Sequence, residues 1–581
     1  MKILLMAVNA KYIHSNLAVY SLKAYAGRRG YGVDVGEYTI NQQKDEILGD
    51  LYRQGPDVLC VSCYIWNISF VEELLQDVRR ILPGTEIWVG GPEVSYDAAE
   101  FLERMPCVKG VMCGEGERTF LELVQCLNGG EGDLSVIEGL VYRENGGIRR
   151  NAPRMPMSMD ELVFPYENLA LFENKIIYYE SSRGCPFSCS YCLSSIDKKL
   201  RFRSLSLVEE ELGFFLKAGV AQVKFVDRTF NCKREHAMAV WTYIRDHDNG
   251  VTNFHFEIAA DLLTEEEIAL IRTMRPGLIQ LEIGVQSTNE KTLGEIRRKT
   301  SFEDIKRRVG QIQEGENVHQ HLDLIAGLPF EDYESFRESF NQVYGLRPQQ
   351  LQLGFLKVLK GSYMHEMTGV YGCVYKSREP YEVLGTRWLS YGDILRLKGV
   401  EEMVEVYYNS SQFGRTMRAM EGLFLDAFSL YEALADFYEE KGYSRISHTR
   451  IRRYEILLEY LEEKQDVDME YYRELMIFDI YARENMKTRP DWAKELSPWK
   501  DKIRKFYQKE EDSPEILRGY EGYQARQTMK MTHLEVFSYD ITGGSGRRGE
   551  FPVLFDYKKR NPLTKEAGYW DIAFDGQTEG V

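Results

Sequence analysis

The chain is short of cysteine, with ten in 581 residues, and it has no apolar run approaching the roughly 18 residues that a membrane span requires. The first shortage excludes a disulfide-stapled secreted scaffold, and the second excludes a spanning helix and any membrane partner. Basic charge is short as well: 73 Lys and Arg stand against 90 Asp and Glu, for a net charge of −17. A nucleic-acid binder shows a basic face, so this balance argues against a nucleic-acid partner. The basic clusters Lys198-Lys199 and Arg297-Arg298-Lys299 read as solvated surface or small-anion contacts. The opening MKILLMAVNAKYIHSN lacks the longer apolar core and cleavage site of a signal peptide and reads as a first strand. No repeat and no low-complexity tract is present. The expected compartment is the cytoplasm, where thiols stay reduced and clustered cysteines point to metal binding or catalysis.

What is present divides into three regions. Hydrophobic residues make up 44% of the chain and charged ones 28%, a globular composition with length for three or four domains of about 100–200 residues. Residues 1–150 alternate strands (KILLMAV, GVDVGEYT, VLCVSC, EIWVGG, GVMCGE) with helical segments. Such βαβ repeats predict a doubly wound, Rossmann-like parallel sheet with ligands at the carboxyl ends of its strands. The connector NAPRMPMSMDELVFP, with three prolines, marks a boundary. Residues 170–370 hold six more βα units, from IIYYESS to LQLGFLKVL, which predict a (β/α)6 partial TIM barrel. Residues 380–581 carry helical apolar spacing and many tyrosines, then HLEVFSYDI and EFPVLFDYKK around GGSGRRG. They predict a mainly α-helical domain with a terminal β-hairpin, and an α/β class overall.

Three of the ten cysteines fall within eight residues, CPFSCSYC, as Cys185, Cys189 and Cys192. They follow the first barrel strand, at the end where such folds place chemistry. Zinc is the plain alternative, but structural zinc takes four Cys or His ligands, and Cys232 and His236 have no paired spacing to supply the fourth. Iron–sulfur clusters take thiolates, normally one per iron, so three cysteines leave one iron open to an outside molecule.

C-x3-C-x2-C after the first strand of a βα barrel resembles the radical S-adenosylmethionine (SAM) superfamily. The resemblance implies a 4Fe-4S cluster on Cys185, Cys189 and Cys192, with SAM chelating the open iron and cleaved to a 5′-deoxyadenosyl radical. It implies SAM contacts from Tyr191, before the third cysteine, and from Asp227 and Arg228 of FVDRTFN, which stand where the family has a glycine-rich turn. Further SAM contacts are implied for Glu257, for Glu282, Gln286 and Ser287 of LEIGVQS, and for Ile325 and Gly327 of DLIAGLPFE. Charged residues in an apolar barrel strand are costly unless paired, which independently singles out Glu257 and Glu282.

A doubly wound domain ahead of this barrel resembles the radical SAM proteins that carry a cobalamin-binding domain. The resemblance assigns His14, Ser62, Gly90, Gly91 and Glu115 to cobalamin. The corrinoid motif D-x-H-x-x-G reads here Tyr12-Ile13-His14-Ser15-Asn16-Leu17, so the acceptor that orients a metal-bound histidine is missing. Cys60 and Cys63, at the end of a buried strand, read as core. The last 200 or so residues resemble a domain of unknown function attached to some bacterial members, with Arg483, Arg489 and Lys558-Lys559-Arg560 as candidate anion contacts. The resemblance implies a methyltransferase acting on an unactivated carbon of a small-molecule or peptide substrate, with an electron donor such as flavodoxin or ferredoxin. Two alternatives stay open: a radical SAM rearrangement or cyclisation with no methyl transfer or with a vestigial cobalamin domain, and a non-catalytic cobalamin or redox sensor. An RNA methylthiotransferase would need three further cluster cysteines, and the remaining ones form no such set.

Overall fold

The computed structural model describes residues 1–129 and 132–574, so the last residues of the third predicted region lie outside the described ones. The chain divides into two compact units, residues 1–336 with 354–391, and residues 337–353 with 392–581. The first predicted α/β region falls in the first unit, as does the second apart from residues 337–353.

The N-terminal sheet comprises β1 (Ile3–Asn9), β2 (Asp34–Thr39), β3 (Val58–Ser62), β4 (Glu86–Gly90), β5 (Gly110–Met112), β6 (Leu140–Glu144) and β7 (Gly147–Arg150), in the order β2-β1-β3-β4-β5-β6-β7. The first five are parallel. β1 and β3 are buried along their whole length, as helices on both faces of a parallel sheet require. The helix Ile68–Ile81 buries Ile68, Val71, Leu74, Leu75 and Val78, one stripe at helical spacing. β6 and β7 add an antiparallel hairpin turned at Asn145 and Gly146, both at positive φ. This Asn-Gly turn is a strong short-range hairpin signal, and the sequence reading passed over it. Strand order reverses between β1 and β3, the switch point where such sheets bind ligands. There the fully buried Asn67 donates to Val8 O and Ser62 O at 2.9 and 3.0 Å.

The second sheet comprises β8 (Ile177–Tyr179), β11 (Gln222–Phe225), β12 (Asn253–Ile258), β13 (Ile279–Gln286), β14 (His319–Ala326) and β15 (Gln350–Phe355), in the order β15-β14-β13-β12-β11-β8. Strands β8 to β14 in this sheet pair parallel. With β8 and β15 at its edges the sheet stays open, the partial barrel expected. Between β8 and β11, a two-residue antiparallel ribbon joins β9 (Ser182–Arg183) to β10 (Arg201–Phe202). It closes the base of the loop that carries the cysteines. A short pair, β16 (Val374–Tyr375) and β17 (Val383–Gly385), ends this unit.

The second unit is helical around Met469–Arg483, a helix buried at every position from Glu474 to Ala482. The segment MRAMEGLFLDAFSLYEALADFYEEK, read as one helical stretch, is two helices, Gly414–Glu421 and Ala427–Glu440. Asp426 makes the break: its carboxylate accepts the Ser429 amide at 2.8 Å as an N-cap. The terminal hairpin is present as β18 (Thr532–Tyr539) and β19 (Arg548–Arg560), and β20 (Ala567–Asp571) extends it to three antiparallel strands. Buried tyrosines pair their hydroxyls, as Tyr407 does with Tyr438 at 2.6 Å, which lets an amphipathic ring fill a core.

Gly91 gives the clearest test of the first sheet. Its φ is +117°, and a Cβ there would lie 2.3 Å from the Cys63 carbonyl oxygen. Gly91→Ala is expected to cost about 1–3 kcal/mol from backbone strain alone, read as a lower urea midpoint for the first unit. An unchanged midpoint would contradict the packing of β3 against the β4 turn.

Candidate functional site

The cysteine loop is anchored before it is functional. Ser181, just after β8, donates to Asp227 from its amide at 3.0 Å and from its hydroxyl at 2.7 Å. The Ser182 hydroxyl donates to the same carboxylate. Burial lifts the Asp227 carboxyl to about 6 against these hydrogen bonds. Asp227 is therefore engaged with the foot of the loop, while its neighbour Arg228 is exposed. His236, weighed as a zinc ligand, is taken up by the Ser181 hydroxyl at 2.9 Å and is held neutral by burial, at about 4. Burial likewise lifts the Cys232 thiol to about 11.

The ribbon arginines reach from the loop base into the N-terminal sheet. Arg183 donates to Glu117 at 2.6 Å and to Glu180 at 2.9 Å. Arg201 pairs with Glu115 at 2.6 Å and Asp197 at 2.8 Å. Burial opposes ionisation of Glu117, and the Arg183 guanidinium more than offsets it, holding the carboxyl below its ordinary range. Glu115, expected at cobalamin, also accepts the Met157 amide at 3.1 Å, so it joins the ribbon to the connector after β7.

Within the loop, Cys185 and Cys189 are buried and Cys192 half-buried. Backbone bonds hold each turn: Cys185 N to Asp197 O at 3.0 Å, Ser190 N to Ile296 O at 3.0 Å and Cys192 N to Cys189 O at 3.2 Å. Gly184 has φ +91°, and a Cβ there would meet Lys199 O at 2.6 Å. The Cys185 sulfur lies 3.7 Å from the Thr229 hydroxyl, and Arg298 Nη1 points at the Cys189 sulfur from 3.9 Å. Burial pushes the Cys189 thiol up, Arg298 pulls it down, and the charges of Cys192 and Cys185 push it up again. Three thiols that repel one another as thiolates suit an iron–sulfur core, and the arginine turned toward one of them offsets the negative charge that the thiolates bring. Tyr191 packs beside Arg298, and burial raises its phenol. Tyr96, which the sequence reading did not single out, brings a half-exposed phenol from the turn after β4 into the field of Cys192.

The face of the second sheet beyond the loop is polar. Glu257 and Glu282 are register partners, as are Glu282 and His321. His255 and Lys224 reach Glu282 at 2.8 and 3.1 Å. Burial would raise Glu282, and the His255 hydrogen bond and the Lys224 ammonium overcome it, holding the carboxyl at about 2. Glu257 has no such partner among the described residues: burial, with the Glu282 charge added, lifts it to about 7. Glu282, His321 and Asp323 bring ligand atoms within 4.8 Å of one another, and the Lys224 ammonium already supplies the positive charge there. Gln286 ends β13 at φ +73°, and its buried Oε1 has no hydrogen-bond partner among the described residues. Ser287 is engaged, donating to Glu331 at 2.6 Å. Ile325 is half-buried, and Gly327, at φ +92°, lets Val383 approach to where a Cβ would lie 2.7 Å from it.

On the N-terminal sheet, His14 Nδ1 lies 2.6 Å from the Tyr178 hydroxyl of β8. The orienting partner absent from the local motif thus comes from 164 residues away. Burial, then Lys11 and Lys224, lower the imidazole and keep it neutral. Ser62 Oγ is 3.3 Å from Asn16 Nδ2, across the switch point. Gly90 ends β4 and Gly91 follows it, and Cβ atoms there would lie 3.3 Å from Met112 O and 2.3 Å from Cys63 O. Tyr64 and Trp66 stack beside Ser62 at 4.4 Å and 7°. Cys60 and Cys63 are buried thiols raised by desolvation.

Comparison with known proteins follows this geometry. The model of the B12 binding domain matches residues 3–124, that of the radical SAM superfamily matches 179–343, and a protein of unknown function, DUF4080, matches 369–555. An uncharacterized methyltransferase of Pyrococcus horikoshii, PH0819, is 36% identical over 195 residues, 32% of this chain and 42% of that one. The cobalamin-dependent radical SAM methyltransferase TokK of Streptomyces tokunonensis is 26% identical over 310 residues, 50% of this chain and 45% of its own. The chain thus spans less than half the length of these two curated relatives. The solved structure of the radical SAM methyltransferase TsrM from Kitasatospora setae, with cobalamin and a [4Fe-4S] cluster bound, shares the fold. Its TM-score is 0.53 at 18% identity, covering 65% of this chain and 78% of that one.

Arg298 is expected to tune whatever centre the three sulfurs hold. Arg298→Gln removes the cation facing Cys189, so the midpoint potential of the reconstituted protein should move negative in an EPR-monitored redox titration. Iron content should stay unchanged. An unaltered potential would show that the guanidinium serves only the fold.

Proposed function

We propose, for a chain in which a B12-binding domain, a radical SAM domain and a DUF4080 domain follow one another, that it is a cobalamin-dependent radical SAM enzyme. We read it as a methyltransferase acting on an unactivated carbon of a small molecule or peptide. One observation carries this reading: Arg183 and Arg201, at the base of the three-cysteine loop, are paired with Glu117 and Glu115 of the B12-binding segment. The two segments are thereby joined within one compact unit.

When bound, a 4Fe-4S cluster supplies an electron to SAM and cobalamin carries the methyl group. Cys185, Cys189 and Cys192 would hold the cluster, leaving one coordination position for SAM. Tyr191 and Arg228 would contact SAM. Glu257 and Glu282 would offer carboxylates to its cationic groups, Gln286 Oε1, unpartnered among the described residues, would accept a ligand N–H or O–H, and Ile325 and Gly327 would lie toward the adenine. Asp227 and Ser287 act through the loop foot and through Glu331. His14, Ser62, Gly90 and Gly91 would contact cobalamin, and Glu115 would support that side through its pair with Arg201. The reducing electron comes from an external donor such as flavodoxin or ferredoxin. Among the described residues no helix is long and apolar enough to cross a membrane, and a reducing cytoplasm is where free thiols of this kind persist.

Anaerobic reconstitution with iron, sulfide and hydroxocobalamin tests the reading. About four irons per chain are expected, together with bound cobalamin, and with dithionite and SAM the release of 5′-deoxyadenosine. Cys185→Ala should abolish the iron. Cleavage of SAM without bound cobalt would leave a radical enzyme with a vestigial first domain, and zinc without SAM cleavage would end the proposal.

Glu257 makes SAM binding pH-dependent. With the carboxyl near 7, it is mostly neutral at pH 6 and mostly anionic at pH 8, and a cationic ligand favours the anion. SAM affinity should rise by up to about tenfold across that interval, measured by calorimetry on the reconstituted protein. Glu257→Gln should flatten the dependence, and an equal slope in the variant would remove Glu257 from the site.

A further inference from the structure

The basic clusters Lys198-Lys199 and Arg297-Arg298-Lys299, far apart in the sequence, meet at one place in the first unit. Lys198 Nζ donates to the Ser188 hydroxyl at 2.9 Å, inside the span from Cys185 to Cys192. The Ser190 amide, two residues on, donates to Ile296 O at 3.0 Å, which seats Arg297 and Lys299 beside the same loop. At the start of the loop, a Cβ on Gly184 would lie 2.6 Å from Lys199 O. Both clusters therefore flank the loop that carries the three thiols.

Lys198, Lys199, Arg297 and Lys299 are exposed, and none of the four forms an ion pair among the described residues. Arg297 lies over the Tyr363 ring at 3.6 Å, a contact that brings no carboxylate. The neighbouring acidic groups are engaged: Asp197 pairs with Arg201 at 2.8 Å, and Glu295 accepts the Tyr371 hydroxyl at 2.6 Å. The anion contacts expected farther along the chain are used within the fold instead. Arg489 pairs with Glu535, Arg483 donates to Ser411 O, Lys558 to Gly519 O, and Arg560 to Arg483 O and Lys565 O.

Four cations without ion pairs at one loop, in a chain of net charge −17, make a local field of opposite sign to the whole. Beside them the loop shows Pro186 and Ile196, the latter 48% exposed. Apolar surface next to a charged rim is the make-up of a protein interface. The remaining cysteines form no second set, so no further iron–sulfur centre relays an electron to the loop, and a donor has to approach it.

We propose that this face docks a small acidic one-electron carrier protein of the flavodoxin type. The inference rests on the reading of the loop as a cluster site. The donor's flavin hydroquinone is oxidised to the semiquinone, and the single electron it gives up reduces the oxidised cluster; no bond forms between the proteins. Complementary charge steers the approach, and salt weakens it, since the screening length falls to about 10 Å at 0.1 M.

Calorimetric titration of the reconstituted chain with oxidised flavodoxin, which cannot reduce the cluster, tests the docking apart from any turnover. Binding should be saturable and should weaken about tenfold or more between roughly 50 and 300 mM salt. Lys198→Glu with Lys199→Glu, and Arg297→Glu with Lys299→Glu, should each weaken it about tenfold or more at low salt. The first pair serves alone if the second fails to fold. Both should keep the parent's iron content and its bleaching by dithionite, while bleaching by flavodoxin hydroquinone slows. Lys500→Glu with Lys505→Glu, exposed lysines of the second unit, should bind as the parent does. No saturable binding, binding indifferent to salt, unchanged affinity in the loop variants, or an equal loss in the Lys500 and Lys505 variant would overturn the proposal. A parent that takes up no iron fails the cluster reading in its own right, and the titration with oxidised flavodoxin still decides the surface.

Discussion

The pairing of two arginines with carboxylates across the first unit is the interaction on which the candidate site depends. Arg183 and Arg201 are register partners in the ribbon that closes the cysteine loop. Each is largely buried and faces acidic groups of the N-terminal segment, Glu117 for one and Glu115 for the other. Breaking a buried pair by removing one member leaves an uncompensated charge, at about 3–5 kcal/mol. The loop that presents the three thiols is therefore held from both sheets, and its position would change if either moved.

Around that joint, positive and negative groups are distributed so that neighbouring carboxyls behave differently. Glu282, with His255 and Lys224 against it, stays ionised far below neutrality. Glu257, one strand away and in register with it, has burial and a like charge instead and titrates near neutrality. Paired environments that push titratable groups apart mark places where binding or proton movement is arranged. Asp227 shows the other use of such a group, since both its oxygens fix Ser181 and Ser182.

Much of the architecture was legible because it rests on local patterns. Continuous apolar runs such as KILLMAV and VLCVSC announced buried parallel strands, and the striped helix Ile68–Ile81 followed from its spacing. The hairpin β6–β7 was missed although its Asn-Gly turn is a local signal. The break at Asp426 was missed because an apolar spacing that continues across a capping aspartate reads as one helix.

By itself the sequence determined the three-thiol loop, the order of its domains and the strand ends that carry polar residues, since these follow from spacing and short-range periodicity. Only the tertiary structure decided what each polar residue faces. It gave His14 its partner in Tyr178, placed Glu115 against Arg201 and set Arg298 on Cys189. The physical reason is that hydrogen bonds and charges act over a few ångströms of space, and the groups concerned lie from tens to more than a hundred residues apart along the chain.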